Sequence, residues 1–160
     1  MRRRCGTMAA HMRLLEEHAP FRARQARIEL ATARRRSALA AAVKPPLVTV
    51  DVVVNVVYKT DEQNVSDAQV KSQLAVLNRD FSAKNPDRKK VPEAWKGLVT
   101  DSRVRFKLAK ITRTKTTRAS FSTDDSVKRA SSGGTAPWSP ATHLNLWVCA
   151  LSGGVLGYAQ

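Results

Sequence analysis

The stretch Val48 to Tyr58, Val-Thr-Val-Asp-Val-Val-Val-Asn-Val-Val-Tyr, constrains this chain more than any other. Its β-branched side chains are stiff at χ1, which disfavours helix and suits a pleated surface. A nearly continuous apolar run of this length reads as a strand covered on both faces. It is far shorter than the roughly 18 apolar residues that a membrane span requires, and Asn55 interrupts it.

Such a strand needs elements to cover it, and the next segments supply candidates. Ser66 followed by Gln69 fits a helix-opening capping box. The apolar positions Val70, Leu74, Leu77 and Phe81 then fall on one helical stripe, suited to lie against a sheet. A loop from Asn85 to Gly97 follows, with Trp95 as its expected anchor. Val104 to Leu108 alternates as a strand with one wet face, and the Thr-rich, basic residues 111–121 read as a further strand or hairpin arm. Ser131 to Gly134 reads as loop. Leu144 to Cys149 is another strand, turned by Ser152-Gly153-Gly154. The expected architecture is α/β: a twisted mixed sheet with one packed helix, the helix crossing over between the first two strands. Little sequence remains to cover the second face of such a sheet, so the fold reads as incomplete.

Residues 8–43 differ in character. Ala, Leu, Glu and Arg dominate, Pro20 is the clear breaker, and Leu14, Leu15, His18, Phe21, Ile28 and Leu30 give only a loose apolar face. Lys44-Pro45-Pro46 ends this helical leader, because the residue before a proline is pushed out of the helical region. The expected division is therefore a basic leader over 1–44 and a domain over 45–160.

Charge concentrates in the leader. The whole chain carries a formal +15, and residues 1–44 hold ten Arg and one Lys against three Glu. Arg2-Arg3-Arg4 and Arg34-Arg35-Arg36 bracket the helical segment. An excess of this size favours anionic partners through long-range attraction. A charged, solvated leader accounts for it without any partner. The aromatic share is 6%, and the basic clusters lack the interleaved rings that stack single-stranded bases, so nucleic acid is not an expected partner beyond nonspecific attraction. No apolar core of a signal peptide follows Met1-Arg2-Arg3-Arg4, and no membrane partner is expected.

Residues able to do chemistry are sparse. His11 and His18 stand seven positions apart, about two helical turns, too far to share one ion. Both read as solvated helix residues, and His143, before a strand, as structural. Glu16-Glu17, Asp61-Glu62 and Asp124-Asp125 are neighbouring acids of the kind that solvate loops and turns. Cys5 and Cys149 form no metal-ligand spacing. The sequence contains no H-E-x-x-H, no nucleophile elbow, no phosphate-binding loop and no dinucleotide fingerprint.

Several segments, taken in order, resemble the pappalysin family of metzincin zinc metalloproteases, which has ulilysin-like members. They are Val53 to Tyr58, Ser66 to Val70 running into Leu77-Asn78-Arg79-Asp80-Phe81, and Val104 to Ala109. Trp138-Ser139-Pro140 with Leu144 to Cys149 comes next, then Gly153 to Gln160. In the leader, Arg4-Cys5-Gly6-Thr7 is similar to the pro-segment motif whose cysteine holds family zymogens latent.

The resemblance implies the N-terminal subdomain of a metzincin preceded by its pro-segment. It further implies a zinc cofactor, protein or peptide substrates, secretion, and peptide-bond hydrolysis by zinc-activated water in the full-length family. Cys5 would be the zinc-blocking thiolate, and Arg34, Arg35 and Arg36 the activation cleavage site, as basic linkers are easily cut. Some members cleave after arginine, so self-processing there fits. The family's extended zinc motif and methionine turn have no counterpart in these 160 residues, so no catalytic residue and no zinc ligand set carries over, and the chain alone is expected to be inactive. A small basic module binding nucleic acid or acidic surfaces is the alternative, and a fragment docking on an intact protease by an open sheet edge is a third.

Overall fold

The computed structural model describes residues 3–38 and 45–160, without the side chains of 36–38. The leader's expected helix over 39–43 and its stop at Lys44 lie outside these residues. The chain packs as two units. One takes the described part of Met1–Lys44 with Phe121–Asp124 and Leu151–Gln160, and the other takes Pro45–Ser120 and Asp125–Ala150.

In the first unit, strand β1 (Arg4–Cys5) leads into helix α1 (Thr7–Glu17), and helix α2 (Ala19–Ala38) follows at once. Pro20 occupies the first turn of α2, where its missing N–H breaks no helical bond. The break between the helices is built on His18. Its Nδ1 accepts from the Phe21 N–H at 3.1 Å, and the Arg22 guanidinium bonds the terminal carbonyls of α1 at Leu15 (2.6 Å) and Glu16 (2.9 Å). Ala10, Leu14 and Phe21 are buried, whereas Ile28 and Leu30 are 51% and 60% exposed. Among the described residues of the leader, the apolar packing thus belongs to α1 and the start of α2.

The second unit is a parallel three-stranded sheet ordered β3-β2-β4, where β2 is Val48–Tyr58, β3 Val104–Lys115 and β4 His143–Val148. Every described strand pair is parallel. Helix α3 (Asp67–Phe81) connects β2 towards β3 and packs on the sheet. Val52, Val54 and Val56 of β2 meet Val70 and Leu74 of α3, with Leu77, Leu108, Ile111 and Leu146 around them. Burying each such valine contributes about 1.5–3 kcal/mol. The Ser66 hydroxyl caps α3 by accepting from the Gln69 N–H at 3.2 Å.

The opposite face of β2 is covered too, which corrects the expectation of a bare face. Val53, Asn55 and Val57 are at most 1% exposed. Thr112 and Trp147 are in register with Asn55, and Thr114 with Val57, so they share that face. The segment Ser126–Thr135 is bonded to it: the Trp147 indole donates to the Thr135 carbonyl at 2.9 Å and the Thr114 and Thr135 hydroxyls meet at 2.6 Å. Its turn depends on Gly134, where a Cβ would stand 2.0 Å from the Val127 carbonyl oxygen. A loop with little periodicity does the work expected of a helix or a second layer.

Two further expectations change. Residues 111–115 are not a separate strand but the continuation of β3 past a bulge opposite Val52 and Val53. One extra residue resets the alternation, so a single strand reads as two. Trp95, on the short helix α4 (Glu93–Lys96), anchors nothing, being 61% exposed. The loop carrying it is closed at its neck instead, where the Ser102 N–H and hydroxyl donate to the Phe81 carbonyl at 3.0 and 2.8 Å.

Candidate functional site

Cys5 stands at the end of β1, which pairs in parallel with strand β5 (Val155–Gly157) near the other end of the chain. Gly153 and Gly154, at φ +68° and +72°, turn the chain into β5. The Arg4 N–H donates to the Gly154 carbonyl at 3.0 Å, and the Gly6 N–H to that of Gly157 at 2.8 Å. The approach is close because Gly6 has no side chain. A Cβ there would meet Thr123 Cγ2 at 2.9 Å and Val155 Cγ1 at 3.1 Å.

The Cys5 thiol is exposed and donates to the Thr7 hydroxyl at 3.2 Å. Hydrogen bonding from the Thr7 side chain, then from its backbone, holds the thiol pKa below the ordinary cysteine value. Thiolate character makes a cysteine a metal ligand and a nucleophile. Cys149 is the contrast: it is half-buried, and burial pushes its thiol up to about 11. Both cysteines are free thiols.

Arg34 and Arg35 are exposed on α2, and Arg36 follows in the same helix with its side chain outside the described residues. These arginines lie in the last turns of the leader helix, not among the groups around Cys5. The histidines are structural. His11 meets the Phe21 ring edge-on at 5.6 Å and so is not the simple solvated residue expected, whereas His18 is exposed as expected and also caps α2. His143 shares a 2.8 Å hydrogen bond with the Thr142 hydroxyl and faces Trp138 edge-on at 5.3 Å.

Among the described residues no group of three or more His, Cys, Asp or Glu side chains is placed to hold a metal ion. A tetrahedral zinc site takes four ligands, and Cys5 offers at most one, so the residues of this chain do not by themselves fit zinc. An apolar groove of about 160 Å³ lies between α3 and β4, with Val54, Val70, Leu74 and Val148 in its lining. Gln69 and Gln73 are its polar residues, and it holds no acid, base or nucleophile. Among the described residues no helix is long and apolar enough to cross a membrane.

Sequence reasoning singled out Cys5 as a candidate but gave Thr7, which bonds its thiol, no role of its own. The signal was available in the threonine two residues after the cysteine at a helix start, but its second partner lies 152 residues away.

No protein-family model and no curated protein sequence matches the chain. Solved structures do. Mirolysin in complex with compound 9 is 42% identical at a TM-score of 0.69, over 72% of this chain and 47% of its own. Mature mirolysin of Tannerella forsythia with a cleaved peptide is 41% identical at 0.70, with the same coverage. A mutant of Tannerella forsythia promirolysin is 34% identical at 0.75, over 99% of this chain and 54% of its own. This chain spans about half the length of these relatives. Segments, fold and these similarities agree: the chain belongs to the pappalysin, ulilysin-like family of metzincins.

Proposed function

We propose that residues 1–160 form the latency segment and the N-terminal catalytic scaffold of a secreted zinc metalloendopeptidase, without peptidase activity of their own. The observation that supports the reading best is the change in coverage between the two forms of the relative. The similarity spans 72% of this chain for mature mirolysin and 99% for promirolysin. The difference is about the length of residues 1–44, so the basic leader has the extent of a pro-segment and residues 45–160 that of the scaffold.

In this reading Cys5 is the latency residue. When zinc is bound in a complete family member it polarises water for attack on a peptide carbonyl, and a thiolate in that position excludes the water. This chain's contribution is to present an exposed thiol of lowered pKa on a strand fixed to β5. Arg34, Arg35 and Arg36 would be the bonds cut to release the leader. The substrates would be proteins or peptides.

A synthetic peptide of residues 3–17 tests the reading against mature mirolysin. Inhibition is expected, weakened at least about a hundredfold by Cys5→Ser, in keeping with the loss of one zinc ligand. Equal potency of the two peptides would remove Cys5 from the mechanism. The basic-module alternative predicts binding to nucleic acid that persists above moderate salt. Nonspecific attraction to the +15 chain would vanish there.

A further inference from the structure

The thiol that the proposed function makes important is held by a residue with a second attachment. The Thr7 oxygen accepts from the Cys5 thiol at 3.2 Å and also from the Ala159 N–H at 3.1 Å. We infer that Thr7 is a positioning residue, one hydroxyl that ties the Cys5 thiol to the segment just after β5, at Ala159.

Arg4, Gly6 and Thr7, the residues around the cysteine, then divide the work. Gly6 lets the backbones approach, because any side chain would strike Thr123 and Val155. Arg4 and Gly6 supply the strand bonds to Gly154 and Gly157. Those two bonds fix the height of β1 along β5 but leave the Cys5 side chain free to turn about χ1. Thr7 removes that freedom. Its hydroxyl oxygen has two acceptor lone pairs, which suit the thiol and the amide at once, and its own proton can turn to a thiolate without displacing the amide. Serine keeps this capacity and valine, of the same shape, lacks it.

The inference deepens the latency reading and rests on it for its purpose, yet its test needs neither zinc nor proteolysis. Hydrogen exchange is followed by mass spectrometry on the full chain carrying Cys149→Ser, with iodoacetamide alkylation of Cys5 measured in parallel. Thr7→Val is expected to speed exchange at Ala159 at least about tenfold, as for an amide released from its acceptor, and to lower the alkylation rate of Cys5, whose thiolate loses the hydroxyl that favours it. Exchange within β2 should stay unchanged, showing that the scaffold remains folded. Thr7→Ser should restore both readouts. Unchanged exchange at Ala159 in Thr7→Val, or a Thr7→Ser chain that behaves like Thr7→Val, overturns the inference. Should Thr7→Val unfold the leader altogether, the serine variant still decides it. Failure of the peptide-inhibition experiment with success here would discard the zinc role and keep the tie.

Discussion

Asp101 shows how one side chain can be committed by its neighbours. The Arg105 guanidinium donates to its two carboxylate oxygens at 2.9 and 2.6 Å, and the Arg103 N–H donates at 2.8 Å. The hydrogen bonds from Arg105, then that from the Arg103 backbone, hold the carboxyl well below the usual carboxylate range. A carboxyl whose pKa is lower folded than unfolded stabilises the fold above its unfolded pKa, about 3.9, and ceases to do so as pH falls through the folded value. Asp101→Asn should therefore lower Tm at pH 7 and flatten the fall of Tm below about pH 4, the wild-type limb being steeper. Parallel limbs in the two proteins would show that the pair carries no pH dependence. The acid was not singled out in the sequence, since its partner four residues on looks like an ordinary strand arginine until the turn at Arg103, with φ +58°, folds them together.

At the level of elements, the sequence was most legible where periodicity and local capping decide structure. β2 runs from Val48 to Tyr58 as read, and α3 opens on Ser66 and buries Val70 and Leu74 as its stripe requires. Asn78 illustrates what periodicity leaves out. Its amide donates to the Phe106 carbonyl and accepts from the Phe106 N–H, both at 2.8 Å, and so acts as a strand partner on the free edge of β3. The Leu-Asn-x-Asp-Phe segment thereby joins helix to strand, helped by Phe81 meeting the Phe106 ring edge-on at 4.9 Å. Asn78→Ala is expected to destabilise the second unit by about 1–3 kcal/mol, because it strands two part-buried backbone groups. Urea unfolding measures it, and a loss under half a kilocalorie would mean that water replaces the amide there. Trp95 was misread for the converse reason: a large ring in a loop suggests burial, but the neck at Phe81 and Ser102 holds that loop without it.

For the whole molecule, the division into two units was the least legible feature. The sequence suggested a cut near Lys44, whereas Phe121–Asp124 and Leu151–Gln160 pack with the leader. That association uses backbone bonds between β1 and β5 and the bond from Arg13 to the Thr123 carbonyl at 2.9 Å, which leave no periodic trace in composition. The candidate site was half legible for the same reason: Cys5 belongs to a recognisable motif, but its supports lie at the far end of the chain. Accessibility of the leader yields a test. Arg34 and Arg35 are exposed near the end of α2, where helices fray. Brief trypsin treatment should therefore cut first within residues 34–36, leaving a fragment that contains β2 to β5 intact. First cuts at Lys89, Lys90 or Lys96, which are also exposed, would move the weak point to the Trp95 loop.

The bulge in β3 bears on which changes of chain length this sheet can absorb. Leu108 pairs with Val52 and Lys110 with Val53, so Ala109 has no opposite number on β2. Losing that one codon would straighten the strand and leave every later pair in place. Losing a codon anywhere from Ile111 to Lys115 would slide neighbouring residues by one position, turning apolar side chains from one face to the other. Length variation among relatives should then collect at that single position.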